Sequence, residues 1–217
     1  MLEQIVIDDA VRELRPGVAV LVLTAAGLVN GPSDDESAQW LTVAAKEAQG
    51  AEDHPHIMAW REAYRAFGAK PQRTRPSVDA LIRRADALPA INKVVDAYNA
   101  VSVEYVLPVG GEDLDAYVGP ARLVRARGDE PFDTAAGVEH PSEGEVVWRD
   151  DQGVTCRRWN WRQCVRTRLT ESTTNALFLL ERLEPYPIER LNEAGEALAE
   201  RLRTITPDVR IQSRLLW

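Results

Sequence analysis

The sequence is poor in the side chains that bind transition metals or form disulfides. Only two of its 217 residues are cysteines and three are histidines. Cys156 and Cys164 lie eight positions apart without a neighbouring CxxC pair, which argues against a soft-ligand metal site, and a disulfide would require an oxidising compartment. His54 and His56 flank a proline, but the local sequence offers no third or fourth ligand. We therefore expect reduced thiols, no metal and no cofactor.

The sequence also lacks a long hydrophobic run. The longest apolar stretch, 18–29, is too short and too interrupted to span a bilayer, and no basic region precedes an apolar stretch at the N-terminus. These absences predict a soluble, cytoplasmic protein without a membrane partner.

Positive charge is scarce overall but locally concentrated. The formal net charge of −8 excludes a generic nucleic-acid binder, so an RNA partner requires clustered cations. Two clusters are present: Lys70, Arg73, Arg75, Arg83 and Arg84, and then Arg157, Arg158, Arg162, Arg166 and Arg168. The second cluster is interleaved with Trp159 and Trp161, a combination typical of sites for single-stranded RNA ends. An equally good interpretation is a solvated strand pair with the tryptophans in the core, because the two residue types alternate.

Length and periodicity predict one α+β domain. A chain of 217 residues with 45% hydrophobic content can bury a substantial core, and no linker interrupts it, so we expect a single domain over 1–217. The predicted helices are 35–49, 56–67, 78–87, 90–99, 173–183 and 188–204. The predicted strands are 17–24, 101–107, 122–127, 145–149, 154–161 and 165–170. Helices flanking a mixed sheet give the fold class α+β. The apolar end 211–217 is expected to dock on this domain or on a second subunit, and the oligomeric state stays open.

The most informative segment is 88–117. Asn92, Asp96 and Asn99 are spaced by four and three positions, so on a helix they form one polar stripe, while Val94 and Tyr98 turn another way. A polar stripe beside apolar residues predicts a pocket wall.

The same segment belongs to a longer pattern of motifs. It continues through Gly111, Leu114-Asp115-Ala116-Tyr117, Gly119, Leu123-Val124-Arg125-Ala126 and Gly128, with later matches at 145–150 and 173–181. In order and spacing, roughly residues 60–183 resemble the B3/B4 domain of the phenylalanyl-tRNA synthetase β subunit. The editing site of that domain hydrolyses a wrong amino acid from tRNA.

The sequence departs from that family pattern in the pocket. Asp115 stands where the family has a histidine, and Trp159-Asn160-Trp161-Arg162-Gln163 stands where it has a Gly-Gly-Glu turn. The tyrosine specificity of the synthetase therefore does not carry over. A carboxylate at the histidine position favours a cationic amino acid. One group of freestanding B3/B4 proteins acts on tRNA charged with the arginine mimic canavanine, whose guanidinooxy group suits a bidentate carboxylate pair.

The resemblance implies a set of site residues. Asp115 contacts the substrate or orients water, and Asn92 and Asn99 donate to carbonyl or ribose oxygens as further catalytic residues. Substrate-binding candidates are Asp96, Glu104 and Thr174. RNA-binding candidates are Arg73, Arg75, Arg83, Arg84, Arg158, Arg162 and Trp161. The alternative for Asp113 and Asp115 is a solvated loop after the Gly110-Gly111 pair, since glycine-rich turns commonly carry carboxylates; Glu104 and Glu112 could likewise face solvent.

These expectations together predict a trans-editing aminoacyl-tRNA deacylase that binds the 3′ acceptor end of tRNA. A single site separates close isosteres by only a few kcal/mol, so a second hydrolytic sieve is the physical remedy. The ester is already activated, and the site need only orient water and stabilise the oxyanion. A non-catalytic tRNA- or amino-acid-binding module, and a small-molecule hydrolase that reuses the fold, remain alternatives.

Overall fold

The computed structural model describes residues 2–217, which form six α-helices and eleven strands. The helices are α1 (Asp9–Leu14), α2 (Asp35–Glu47), α3 (Pro55–Ala66), α4 (Ser77–Ile82), α5 (Lys93–Glu104) and α6 (Ile188–Ile205). The first six strands are β1 (Val6–Ile7), β2 (Ala19–Ala26), β3 (Val109–Asp113), β4 (Arg122–Arg125), β5 (Phe132–Thr134) and β6 (Gly137–Glu139). The remaining strands are β7 (Val146–Arg149), β8 (Val154–Arg157), β9 (Arg162–Gln163), β10 (Asn175–Arg182) and β11 (Arg210–Leu216).

The strands form two main sheets and one small hairpin. The five-stranded sheet has the order β1-β4-β7-β8-β9 and is mixed, because β1 runs parallel to β4 while the other pairs are antiparallel. The four-stranded sheet, β11-β2-β10-β3, is antiparallel throughout, and β5 pairs with β6 alone. The predicted α+β class with a mixed sheet is therefore confirmed.

Helix α6 packs closely against the four-stranded sheet, and a glycine permits the approach. A Cβ on Gly195 would lie 2.3 Å from a methyl carbon of Leu21 on β2, so any side chain at this position would force the helix away. The apolar side of α6 (Leu191, Leu198 and Leu202) is fully buried in the same layer, which supports the strands that carry the site described below.

The prediction of a helix over 173–183 is wrong, because this segment is the interior strand β10. Leu177 and Leu179 face one hydrophobic cluster, and Ala176, Phe178 and Leu180 face the other. A strand buried on both faces is a continuous apolar run without visible alternation, and such a run cannot be distinguished from a buried helix by periodicity.

The prediction of a strand over 101–107 is also wrong, since α5 continues to Glu104. Every residue from Val94 to Val103 is buried. Val101 and Val103 alternate with Ser102 and Glu104, which is also the pattern of a half-buried strand, and valine is enriched in strands. Gly110 and Gly111 lie within β3.

Other boundaries differ in smaller ways. Helices 35–49, 56–67 and 188–204 and the strands near 17–24, 122–127 and 145–149 are confirmed within a few residues. The helix predicted over 78–87 ends early, at Ile82, and its N-cap is Pro76. The strand predicted over 154–161 ends at Arg157, and in place of a strand over 165–170 only an isolated bridge joins Arg168 to Glu112.

The C-terminal segment pairs with its own chain. Strand β11 is antiparallel to β2 along its whole length, with Leu216 opposite Val20. The apolar end 211–217 therefore docks on its own domain, which is one of the two arrangements expected from the sequence. Across residues 2–217, no helix is both long and apolar enough to cross a bilayer.

Candidate functional site

A pocket of about 230 Å³ lies where α4, α5 and the two main sheets meet. We call it the acidic pocket, because its buried end carries Glu112 and Glu181, which are 1% and 2% exposed. Arg84, Trp161 and Arg162 line its more exposed rim. The other lining residues are Ser77, Ala80, Leu81, Tyr98, Asn99, Val109, Gly110, Trp148, Cys156, Trp159, Asn160, Gln163 and Leu179.

Strand register brings the two glutamates to one face of the four-stranded sheet. Glu112 on β3 is opposite Leu177 on β10, and Gly110 is opposite Leu179. Glu181 lies two residues beyond Leu179, and alternate residues of a strand share a face. Gly110 adds no side chain to this surface. A Cβ there would lie 3.8 Å from Gln163 Nε2, so the glycine leaves space in the pocket without being required by its neighbours.

Glu181 is held by two neutral donors. Trp148 Nε1 donates to one carboxylate oxygen at 2.6 Å, and Asn160 Nδ2 donates to the other at 2.7 Å. Asn160 is itself fixed by the Tyr64 hydroxyl, which donates to its side-chain oxygen at 2.8 Å. Burial raises the pKa of Glu181 to about 8, against the opposing effect of these hydrogen bonds.

Glu112 has an equally neutral environment. It accepts a short hydrogen bond from the Tyr117 hydroxyl, which also lies 3.2 Å from Thr155 Oγ1. Burial raises the pKa of Glu112 to about 7, although the bond from Tyr117 opposes the shift. No lysine, arginine or histidine of the described residues forms an ion pair with Glu112 or Glu181.

Two buried carboxyl groups without a cationic partner are unusual in a structural core. Buried charges are normally paired, and perturbed carboxyls in a cavity are typical of functional sites. The pair can receive a cationic ligand or exchange a proton near neutral pH. Cys156 also lines the pocket, but burial raises the pKa of its thiol well above the usual value, which disfavours a nucleophilic thiolate.

A stacked tryptophan forms part of the rim. The guanidinium carbons of Arg158 and Arg162 lie 4.4 Å and 4.8 Å from the ring centroid of Trp161. Strand β8 ends in a turn in which Arg158 and Trp159 have φ angles of 47° and 68°, the left-handed region that non-glycine residues rarely occupy. The turn directs Trp159 into the core, edge-on to Trp60, and leaves Trp161 at the pocket.

The predicted site residues divide into three groups. Asn99, Arg84, Trp161 and Arg162 line the acidic pocket. Arg73 and Arg158 line a neighbouring cleft. The remaining predicted residues lie outside both cavities: Asn92, Asp96, Glu104, Asp115, Thr174, Arg75 and Arg83.

Asn92 and Asp96 form buried hydrogen bonds at the start of α5. Asn92 is the N-cap, and its side-chain oxygen accepts from Val95 N at 2.9 Å. Asp96 accepts from Ser37 Oγ at 2.9 Å and from Ile91 N at 2.8 Å. The polar stripe therefore fastens α5 to its surroundings at one end and reaches the pocket only at Asn99.

Asp115 is exposed, follows the end of β3 and contacts the beginning of β10. Its carboxylate accepts from Asn175 Nδ2 at 2.8 Å and from Thr174 Oγ1 at 3.4 Å. Glu104 pairs with Arg201 at 2.6 Å, and Arg83 pairs with Asp79 at 3.0 Å.

The sequence analysis assigned no role to Glu181 and left Glu112 open between an acidic pocket and solvent. Each lies one residue before the end of its strand, in Gly-Gly-Glu and Leu-Leu-Glu. That signal identifies a site only when β10 is recognised as a strand, because strand register is what brings the two residues to one face of the sheet. Among residues 2–217, no group of three or more His, Cys, Asp or Glu side chains is arranged to hold a metal ion.

The fold and the site define an α+β domain with an acidic pocket and an arginine–tryptophan rim. Residues 59–206 match the family model of the B3/4 domain, which is more than half of the chain and includes every residue that lines the pocket. The chain belongs to the B3/4 domain family, as its motifs predicted.

One solved structure similar to this chain is an N-terminal fragment of the phenylalanyl-tRNA synthetase β subunit from Pyrococcus horikoshii. The similarity covers 98% of this chain and 50% of that one, with a TM-score of 0.48 and 13% sequence identity. This chain therefore spans half the length of that fragment. No curated protein has significant sequence similarity to the chain.

Proposed function

We propose that the protein is a trans-acting deacylase that hydrolyses the aminoacyl ester of a mischarged tRNA. The amino acid has a guanidinium-like side chain, and the leading substrate is canavanyl-tRNA(Arg). The observation that carries this proposal is the pair Glu112 and Glu181, buried at the end of the pocket without a cation. Family membership supports the tRNA part of the proposal, and the charge of the pocket supports the identity of the amino acid.

A guanidinium-like group fits the chemistry of the buried end. Glu112 and Glu181 accept hydrogen bonds only from neutral groups, so each has unused acceptor capacity when ionised. A planar group with several N–H donors matches a carboxylate in bidentate geometry. A neutral aromatic side chain such as that of tyrosine or phenylalanine offers no N–H donors to the remaining acceptor positions of these carboxyls.

The raised pKa values favour canavanine over arginine. Near neutral pH, the two carboxyls retain a proton for part of the time, and a permanently charged arginine must displace that proton to bind. The oxygen of a guanidinooxy group withdraws electrons and makes the group less basic. Such a group can bind as a neutral donor and acceptor beside a protonated carboxyl.

Hydrolysis requires an oriented ester and an attacking water. Asn99 lines the pocket, and its amide can donate to the ester carbonyl. Of the residues predicted to be catalytic, it is the one that we place at the reaction. At the rim, the stack of Arg158 and Arg162 on Trp161 offers planar groups for the terminal base.

A second candidate is a non-catalytic module that binds tRNA or an amino acid. It is supported by the absence of a nucleophile–histidine pair from the pocket lining, within the described residues. Such a binder would protect the ester, whereas an enzyme would release free amino acid.

The proposal is tested by measuring loss of the aminoacyl ester in the presence of substoichiometric protein. The panel of substrates comprises canavanyl-, arginyl-, tyrosyl- and phenylalanyl-tRNA. Multiple turnovers on canavanyl-tRNA with little loss of tyrosyl-tRNA are expected. A slower loss of ester than in the protein-free control would favour the binding module, and hydrolysis of tyrosyl-tRNA alone would contradict the proposed substrate.

A further inference from the structure

A second cavity borders the acidic pocket. It is a cleft of about 240 Å³ between the end of α3, the segment 68–74 and the loop before β7. Its charged lining residues are Lys70, Arg73, Arg158 and Glu145, and we call it the basic cleft.

The single carboxylate of the cleft is already neutralised. Glu145 is buried, and Arg157 donates to both of its oxygens at 2.9 Å. The backbone N–H of Arg158 donates to the same carboxylate at 3.0 Å. The guanidinium of Arg158 approaches Glu145 only to 3.8 Å. Glu145 therefore cannot also compensate the other cations of the cleft.

Lys70 and Arg73 are exposed, and neither forms an ion pair with any residue of 2–217. Thr74 and Ser142 add polar groups to the same lining. In a chain of net charge −8, three cations around one neutralised carboxylate form a local positive site. Such a site favours an anion with several oxygen acceptors.

The cleft and the acidic pocket are joined through one stacked pair. Arg158 lines the cleft, Trp161 lines the pocket, and the guanidinium of Arg158 lies 4.4 Å from the centroid of the Trp161 ring. The left-handed backbone of Arg158 and Trp159 holds this pair between the two cavities. Backbone strain of this kind persists where the surrounding structure enforces it, and it is common at functional sites.

We propose that the basic cleft binds the phosphodiester backbone of a single-stranded RNA 3′ end that leads into the acidic pocket across Trp161. The assignment rests on the proposed function for the identity of the strand. It adds the path of the strand. The amino acid lies at Glu112 and Glu181, the terminal base lies on the stack that Arg158 and Arg162 form with Trp161, and the preceding phosphates lie at Lys70, Arg73 and Arg158. A charged groove combined with an aromatic platform is how proteins bind single strands without reading their sequence.

The test compares two double variants that remove equal charge. Lys70→Gln/Arg73→Gln removes two cleft cations whose side chains contact no partner. Lys46→Gln/Arg203→Gln removes two exposed cations on other helices and serves as the matched control. Binding of an uncharged single-stranded RNA ending in CCA is measured by anisotropy over a salt series.

The plot of log K for RNA binding against log [salt] has a negative slope. The cleft variant is expected to make this slope shallower by about 1.4, because each of the two lost phosphate contacts to a single strand contributes about 0.7. At 0.1 M salt this corresponds to an affinity loss of about tenfold or more. The control variant is expected to keep the wild-type slope. Equal slopes for the two double variants would overturn the proposal.

Two further measurements exclude other phosphate sources. Duplex RNA of the same length should bind more weakly, and inorganic phosphate should compete only at much higher concentration than the RNA. Equal binding of the duplex, or competition by free phosphate at matched concentration, would overturn the assignment to a single strand.

The binding assay is independent of catalysis. RNA binding through the cleft without hydrolysis of any charged tRNA would support the cleft while the deacylase proposal fails. Hydrolysis of charged tRNA with an unchanged KM in the cleft variant would overturn the cleft alone.

Discussion

Glu112 and Glu181 lie on neighbouring antiparallel strands and face the same pocket, with Gly110 between them on one strand and Leu179 on the other. Both carboxyls are buried, and their hydrogen-bond donors are neutral. This relationship makes the pocket acidic at its buried end and distinguishes its chemistry from that of the exposed Asp115.

The pocket acids and Asp115 are expected to differ in their effect on activity. Glu181→Gln should lower kcat/KM for the guanidinium-like substrate by at least about tenfold, because one of the two carboxyls proposed to bind that group is lost. Asp115→Asn should stay within about twofold of wild type, because its side chain is exposed outside the pocket and would change only in charge. Steady-state deacylation of both variants decides this. A larger loss from Asp115→Asn than from Glu181→Gln would contradict the assignment.

Gly110 and Gly111 form a matched pair for testing the pocket. A Cβ at Gly110 makes only ordinary van der Waals contact, so Gly110→Val should retain the thermal stability of wild type. Its two methyl groups would occupy the cavity, so substrate binding should fall. Gly111→Ala would place its Cβ 2.7 Å from Leu169 and 2.8 Å from Tyr98, so stability should fall by about 1–3 kcal/mol. Thermal unfolding and substrate binding of both variants are the measurements. Unchanged substrate binding in a folded Gly110→Val protein would exclude this cavity as the site.

Asn92 and Asp96 are expected to affect stability first. Asn92→Ala removes the N-cap of α5 and should cost about 1 kcal/mol. Asp96→Ala leaves the Ser37 hydroxyl and the Ile91 N–H without their acceptor in a buried site and should cost about 1–3 kcal/mol. Denaturant unfolding gives both values. Wild-type stability together with lost activity would instead support direct roles for these residues in catalysis.

The raised pKa of Glu181 predicts that the free protein loses stability as pH rises. The folded protein holds a proton on this carboxyl up to a pKa of about 8, whereas the ordinary value is 4.5, so the folded state binds more protons between these two values. The protonated carboxyl makes its full contribution to the free energy of unfolding below the ordinary pKa of 4.5. This contribution is lost as pH rises through the folded-state pKa of about 8. Melting temperatures measured from pH 5 to pH 9 should fall more steeply for wild type than for Glu181→Gln. Parallel curves would contradict the shift.

The sequence predicted the family, the α+β class and the helices with a polar face, because those features are visible in local patterns. Helix α2 is an example, where Asp34 and Ser37 form a capping box. The predictions for helix α5 beyond Asn99 and for strand β10 were wrong for two different reasons. The residues 176–180 of β10 are uniformly apolar and show no period, whereas in α5 Val101 and Val103 alternate with Ser102 and Glu104 as in a half-buried strand.

The candidate site was only partly predictable for a related reason. The stripe of α5 identified Asn99 as a pocket residue, and the arginine–tryptophan interleaving identified Trp161 and Arg162. The acidic end of the pocket could not be found in the same way. Glu112 and Glu181 are far apart in sequence and line one pocket only through the pairing of β3 with β10, so a misassigned β10 removed the relationship between them.

The most direct test of the central claim is the binding of canavanine amide, a soluble mimic of the side chain and acyl group of the substrate. Calorimetry compares its binding to wild type and to the double variant Glu112→Gln/Glu181→Gln. Each titration is done in two buffers of different ionisation enthalpy, so that the number of protons exchanged on binding is measured. The account predicts tight binding to wild type, with proton exchange linked to the two glutamates, and loss of both the affinity and the linked proton in the double variant. Equal affinity of the two folded proteins would contradict the claim that this pair of buried carboxyls recognises the substrate.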